Sequence, residues 1–450
     1  MTLVPLHDPL RLASYTPIAA ADVIVFREGD YAIAVDGKTK QVIAKSTDHA
    51  EVLQKAVDAL TNGGEVFIKG GVYEISTPIK VTKSPPITLR GERGFAERVA
   101  GKGEPGGPWG TVLKATSPIS EVILISDNTN YVRSPSIKSL TIDGYGNANY
   151  GIHVNYAGGV VIQDVEIYNC IYDGIFLEGA AGAPVSTVMI DRVSSVWNDR
   201  NGLRATTNVE FLTTYHLLTI GNGEEGIYSS ARHQHHFFPH SMSDARLMAT
   251  PKIAMRFAGL YHDMSLYSPL VEGGGKVDRG IQIILPSNAH VNVNVYSPTI
   301  LDLASGGYAF YYHPYDARHS LKIRGGKAIC DNFIYVNTSY AGFLLIDGVN
   351  LEGVSSIGTI SGVIYKIVNC HGYITANSGT ATFSGDGSTT QFKVAHGLVK
   401  APKTVVVTPA SPDAAGDFYV TWDDTYIYVN YKTAPPSGTD NVKLSWYAEV

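Results

Sequence analysis

From about residue 65 onward the chain alternates apolar and polar positions with a period of two, in pieces some five residues long. Ile152 and Val154, Val160 and Ile162, Val165 and Ile167, Ile175 and Leu177, and Val291, Val293 and Val295 are apolar members of this pattern. Such alternation predicts short strands with one face turned inward. A glycine leads many of them. Gly151-Ile152-His153-Val154, Gly174-Ile175-Phe176-Leu177, Gly202-Leu203-Arg204-Ala205 and Gly226-Ile227-Tyr228-Ser229 follow one another at spacings of 23, 28 and 24 residues. Gly280-Ile281-Gln282-Ile283 and Gly307-Tyr308-Ala309-Phe310 continue the series, and the gap after Gly226 has room for further units with an insertion. A turn and short strand repeated every two dozen residues marks a solenoid whose unit is one coil, so equivalent positions of adjacent coils stack in rows. Leu-x-x-Leu-x-Leu repeats are absent and the alternation excludes helical repeats. Several strands per repeat predict an all-β fold, a parallel β-helix with three faces per turn.

The flanks read differently. Residues 1–20 carry no periodic signal and form an N-terminal arm. Residues 21–63 hold two alternating strands around Asp36-Gly37, a hairpin signal, followed by the capping box Asp48-His49-Ala50-Glu51. That box opens a helix of about 13 residues, with Val52, Leu53, Ala56, Val57 and Leu60 on one side and Gly63-Gly64 as its stop. The open end of a β-solenoid would recruit foreign strands, and this helix stands where a cap is needed. The coils extend over residues 64–375, with a glycine- and proline-rich loop at Gly101–Gly110. Over residues 376–450, turn clusters such as Ser384-Gly385-Asp386-Gly387 and Pro435-Pro436-Ser437-Gly438 separate short strands, which predicts a small C-terminal β-sandwich.

Composition removes several function classes. Charged residues make up 17% of the 450 and the net charge is -6, so there is no broad basic surface for nucleic acid. Cys170, Cys330 and Cys370 cannot build a disulfide framework and show no CxxC spacing. No apolar run approaches the ~20 residues of a membrane helix. Met1 to Ala20 lacks a basic start, and His7-Asp8-Pro9 interrupts any apolar stretch, so no secretory signal peptide is expected.

Candidate chemistry follows from the phase of the repeat. Just before the leading glycines lie Asp173, Asn201 and Glu225, with Asp199 and Glu224 close by; two places after them, on the outward side, lie His153, Phe176, Arg204, Tyr228 and Gln282. Asp173 and Glu225 are two rungs apart, roughly 9–10 Å at one strand spacing per coil. That is near the upper end of the roughly 6.5–9.5 Å that separates the carboxylates of an inverting glycosidase. Asp173, Glu225, Asp199, Glu224 and Arg204 are therefore the expected catalytic residues. His153, Phe176, Glu178 and Tyr228 are the expected substrate contacts, because aromatic faces stack on the apolar faces of sugars. Arg204 also suits β-elimination from a uronic acid, where a cation neutralises the carboxylate. All these side chains are expected to point outward, so that replacing them leaves the fold intact. The plain alternative is that Asp, Asn and Glu beside glycine are turn residues. The histidines of Arg232-His233-Gln234-His235-His236 have no suitable third ligand, so no metal or other cofactor is expected. Tyr308, Phe310, Tyr311, Tyr312, His313 and Tyr315 exceed what one coil's core can absorb, which points to exposed aromatics.

Glu65-Val66-Phe67-Ile68-Lys69-Gly70-Gly71-Val72-Tyr73-Glu74-Ile75, preceded by the capped helix and followed by Ile87-Thr88-Leu89-Arg90-Gly91, resembles the opening of the pectate-lyase-like right-handed parallel β-helices. The stretch from Val23 to Leu60 is similar to archaeal and archaeal-virus members. Phe383-Ser384-Gly385-Asp386-Gly387 through Ala434-Pro435-Pro436-Ser437-Gly438 resembles a small β-domain that ends many viral tail and surface proteins. The resemblance implies a homotrimeric viral spike or surface appendage, joined to other virion proteins through the N-terminal arm, that recognises cell-surface polysaccharide and depolymerises it as a hydrolase or lyase; the alternative is a non-catalytic adhesion or structural protein. Location at the surface of a virion or appendage follows from it. The polygalacturonase residue set and the calcium-binding aspartates of pectate lyases are not found, so the resemblance assigns no catalytic residue.

Overall fold

A computed structural model of the chain describes residues 21–92, 110–126, 129–247, 251–259, 262–287 and 289–450. The N-terminal arm and most of the Gly101–Gly110 loop lie outside the described residues. The chain divides into two compact units, one of Met1–Lys322, Ala328–Leu344 and Val354–Ile364, the other of Ile323–Lys327, Leu345–Gly353 and Tyr365–Val450.

In the first unit the strands pair in parallel with their equivalents one coil further on. Ala157–Tyr168, Val185–Val196 and Val209–Ile220 run in unbroken register, so that Val160, Val188 and Leu212 stack, as do Val165, Val193 and Leu217. These residues are buried, as are Ile152, Ile175, Leu203, Ile227, Met255, Ile281 and Phe310 in the row of glycine-led strands. Each such side chain contributes about 1.5–3 kcal/mol on leaving water. The fold is the expected parallel β-helix.

The long strands turn a corner at a left-handed residue. Ser139, Asp164, Arg192, His216, Phe238, Ser268 and Ser297 occupy the same position in successive coils, each with φ between 48 and 53°. The conformation is unfavourable for a side chain with a Cβ. It recurs because it shifts the alternation by one residue, so that Ile162 before the corner and Val165 after it both face inward.

Three strands, not the expected two, precede the helix. Tyr31–Asp36 and Val42–Ser46 form the hairpin at Asp36-Gly37, where Asp36 Oδ1 accepts from the Lys38 and Thr39 amides. Val23–Glu28 pairs antiparallel with Tyr31–Asp36 on one side and parallel with Gly64–Ile68 on the other, covering the edge of the first coil. The helix spans His49–Ala59, 11 residues, with Asp48 accepting from the amides of Ala50 and Glu51, and it ends at Leu60, ahead of Gly63. It caps by chemistry as well as by position: His49 Nδ1 accepts from the Glu74 amide at 2.9 Å and Gln54 Oε1 from the Lys80 amide at 2.8 Å, so edge strands Gly71–Ile75 and Ile79–Val81 are not left open.

A polar ladder runs inside one turn of the coils. Asn198 Oδ1 accepts from the Cys170 amide at 3.1 Å, Asn222 Oδ1 from the Asn198 amide at 3.0 Å, and Asp244 Oδ1 from the Asn222 amide at 2.9 Å. Ser241 Oγ and Thr219 Oγ1 donate to the other oxygen of Asp244 at 2.5 and 2.7 Å. All three side chains are buried, and burial pushes the Asp244 carboxyl up to about 6 against these hydrogen bonds.

The C-terminal part of the second unit contains the expected β-sandwich. Ala376–Gly385, Thr404–Pro409 and Gly438–Glu449 form one antiparallel sheet, and Gln391–Ala395, Phe418–Trp422 and Tyr426–Tyr431 the other. Phe392, Val394, Ile427, Val429, Leu444 and Trp446 belong to the core of this sandwich.

Candidate functional site

The glycine ahead of each short strand is needed for close approach rather than for an unusual φ. A Cβ on Gly202 would lie 2.7 Å from the carbonyl oxygen of Gly226, one coil on. This tight seam brings the neighbouring strands into register, with a row of outward side chains two residues later. His153, Phe176, Arg204, Tyr228, Arg256, Gln282, Tyr311 and Tyr335 stand opposite one another in successive coils. Aromatic and cationic members lie against each other: Arg204 is 5.0 Å from the centre of the Phe176 ring, and Arg256 is 5.7 Å from that of Tyr228.

A second row lies three residues ahead of the first, with Asp173, Asn201 and Glu225 on consecutive rungs. Between the rows opens a cleft of about 600 Å³ whose lining includes Asn201, Arg204, Glu224, Glu225, Tyr228 and Arg256. Glu225 is 3% exposed. Its Oε1 lies 2.8 Å from Arg256 Nε, but out of line for a hydrogen bond, so both atoms lack a hydrogen-bond partner among the described residues. Burial raises the Glu225 carboxyl above the ordinary range, and the positive charge of Arg256 only partly opposes this. The result is a carboxyl group at the cleft wall that holds its proton more firmly than usual.

Asp173 departs from expectation. It is fully buried, does not line the cleft and does not point into solvent. Asn201, one coil on, donates to Asp173 Oδ1 from its side chain at 2.7 Å and its amide at 3.1 Å, while Arg204 Nη1 stands 3.8 Å from Oδ2. Burial pushes this carboxyl up too, with the Asn201 hydrogen bonds and Arg204 opposing. Glu225 was likewise expected to point outward and is buried. The two-rung separation of Asp173 and Glu225 agrees with the strand register, but the pair does not flank an open space. The expectation that replacing these residues leaves the fold untouched is corrected accordingly. Asp199 and Glu224 sit at the rim, paired with Arg246 at 2.8 Å and Arg200 at 3.3 Å.

No family model matches the chain, and no curated protein does. Among solved structures, tailspike gp61 of Pseudomonas phage phi297 superposes with a TM-score of 0.51 over 89% of this chain and 92% of its own, at 11% identity. Tailspike gp49 of Pseudomonas phage LKA1 gives a TM-score of 0.52 over 86% and 67%, at 14% identity. The fold is that of the phage tailspikes.

On this tailspike-type coil stack the expected residues fall into two groups. Arg204, Glu224, Glu225, Asp199 and Tyr228 meet at the cleft. His153, Phe176 and Glu178 form a cluster nearer the N-terminus; His153 and Phe176 are buried, against the expectation that they point outward, because His153 lies between Glu121, 3.2 Å from Nδ1, and Glu178, 2.9 Å from Nε2, and stacks on Phe176 at 4.9 Å. Glu121 is buried, and the hydrogen bonds from His153 and Ser120 outweigh that burial and hold its carboxyl below the usual range. Arg256 was missed because its coil opens on Ala254 where those of His153, Phe176, Arg204, Tyr228 and Gln282 have glycine; the alternation of Ile253-Ala254-Met255-Arg256-Phe257 was the available signal. Gly307, expected to continue the glycine series, lies two residues ahead of its phase, which Ala309 occupies. Of the histidines between Arg232 and His240, His236 is buried against Thr214 and Gln234, whereas His233 stacks between Phe211 at 4.8 Å and His262 at 4.0 Å. The aromatic group after Gly307 splits by alternation, Phe310 and Tyr312 entering the core and Tyr311 joining the ladder.

Proposed function

We propose that this chain is a spike-type surface protein that binds a cell-surface polysaccharide lengthwise along the ladder from His153 to Tyr335, and that the cleft at Glu225 cuts it by hydrolysis. The observation that carries the reading is the ladder itself. Aromatic rings and guanidinium groups follow one another at one strand spacing, alternating from Phe176 to Arg256, beside a cleft whose buried carboxyl is inclined to keep its proton. An extended sugar chain presents apolar ring faces and hydroxyl groups at short regular intervals, which such a row can meet by stacking and by hydrogen bonds. In this reading Tyr228 is the platform, Arg204 and Arg256 bind polar groups, and Glu225 donates a proton to the leaving oxygen while Glu224 or Asp199 at the rim activates water. Residence on a virion surface and assembly as a homotrimer belong to the same proposal, supported by the tailspike fold.

The test is a glycan array with the full chain, followed by assay of the bound polymers for new reducing ends and for the ultraviolet absorbance of unsaturated ends. Hydrolysis yields the first alone. Appearance of unsaturated ends would replace the hydrolase with a lyase, and binding without either would leave an adhesin.

A further inference from the structure

Every arginine lining or rimming the cleft faces a carboxylate: Arg200 faces Glu224, Arg204 Asp173, Arg246 Asp199 and Arg256 Glu225. Arg279 does not. It lies two coils beyond Glu225 at the same phase of the repeat, in the strand Arg279–Ile284, and among the described residues no carboxylate comes within ion-pair distance of it. Its guanidinium packs 3.7 Å from the centre of the Tyr311 ring. Burial above all, with the nearby charge of Arg256 adding to it and Tyr311 and the more distant Asp278 carboxylate opposing, holds Arg279 below the usual arginine range. Beside it, Arg256 Nε, a donor, has no hydrogen-bond partner among the described residues.

Two guanidinium groups repelling one another in a half-buried place, one with no carboxylate at ion-pair distance, are unfavourable in the free protein. An oxyanion placed against them relieves that repulsion and gains charge-assisted hydrogen bonds from planar, pre-oriented donors. We infer that Arg279, with Arg256 beside it and Tyr311 behind it, is an oxyanion subsite, and that the bound polysaccharide carries a carboxylate or sulfate group on a sugar ring that docks there. The inference rests on the ladder being the sugar-binding groove. Because the subsite is two rungs from Glu225, on the order of 10 Å, its anion serves recognition and not bond cleavage.

The test uses the full chain and four probe polymers: polygalacturonate and alginate for carboxylates, dextran sulfate for sulfate, and dextran as the neutral reference. At least one acidic polymer is expected to bind about tenfold or more tightly than dextran, to weaken as salt rises, and to lose about tenfold or more of its affinity in Arg279→Gln. Arg279→Lys keeps the charge and should lose less. The melting temperature of Arg279→Gln should equal or exceed that of the parent, since an unpaired charge is removed; this separates lost binding from lost structure. The inference is overturned if no acidic polymer outbinds dextran, or if Arg279→Gln binds as well as the parent. Tyr228→Ala tells the two readings apart. Loss of polymer binding there but not in Arg279→Gln leaves the groove standing and removes the anion subsite, whereas no loss in either variant removes both.

Discussion

Replacing Asp244 by Asn should make the protein relatively more stable as pH rises. Asp244 ends the ladder of Asn198 and Asn222, fully enclosed, with its carboxyl pushed up to about 6 from the ordinary aspartate value of 3.8. The folded chain therefore holds a proton on this group at pH values where the unfolded chain has already released it. Stability from this group is fully present below the unfolded value and is lost as pH rises from about 4 to about 6. Two units of difference correspond to roughly 3 kcal/mol at neutral pH. An asparagine has the same shape, does not titrate, and can accept from Asn222 through its oxygen while its amide donates to the hydroxyl oxygens of Ser241 and Thr219. The difference in melting temperature, Asp244→Asn minus parent, should thus rise between pH 4 and pH 7 and then level off. At about 2–4 °C per kcal/mol for a mid-sized domain, and less for a longer chain, the rise amounts to several degrees. Scanning calorimetry at one fixed scan rate across that range measures it. A difference that is flat, or that falls with pH, would refute the argument that Asp244 is protonated for want of water.

Three further outcomes follow from the cleft. Glu225→Gln should lower turnover of the identified polymer by on the order of 10²–10⁴ while the chain remains folded, as measured by reducing-end release and circular dichroism. Since Glu225 must be protonated to act as an acid and its carboxyl is raised, the parent's rate should fall as pH climbs through that raised value; a rate that increases there would assign Glu225 the opposite role. Asp173→Asn should leave polymer affinity and turnover nearly unchanged because Asp173 stands behind the wall, whereas Asp173→Ala, which strands the Asn201 donors, should cost about 1–3 kcal/mol in denaturant unfolding.

The glycine-led rows could be read from sequence because the backbone permits nothing larger: at Gly202 a Cβ would strike the next coil's carbonyl. The same clarity concealed Arg256 and Arg279. The Arg256 coil opens on Ala254, and Arg279 precedes its glycine, on the side where only carboxylates had been sought. The corners were hidden for a different reason. Arg192, His216 and Phe238 are not residues from which a left-handed backbone is inferred, and only the three-residue step from Ile162 to Val165 betrays the turn. Burial of Asp173 was beyond reach of the pattern. Periodicity tells which side of a strand a residue occupies, but the hydrogen bonds that enclose Asp173 come from Asn201, 28 residues later in the chain. The aromatic group near Tyr311 shows alternation at work again, since Phe310 and Tyr312 face the core while Tyr311 faces out.

The most direct test of the account is glycan-array binding by the parent chain and by Tyr228→Ala side by side. Tyr228 is a half-exposed ladder residue at the cleft, so its removal takes away a stacking platform without opening the core. The account predicts that the parent binds at least one polysaccharide and that Tyr228→Ala binds it about tenfold or more weakly, with an unchanged melting temperature. A parent that binds no glycan, or a variant that binds every hit as tightly as the parent, would contradict it.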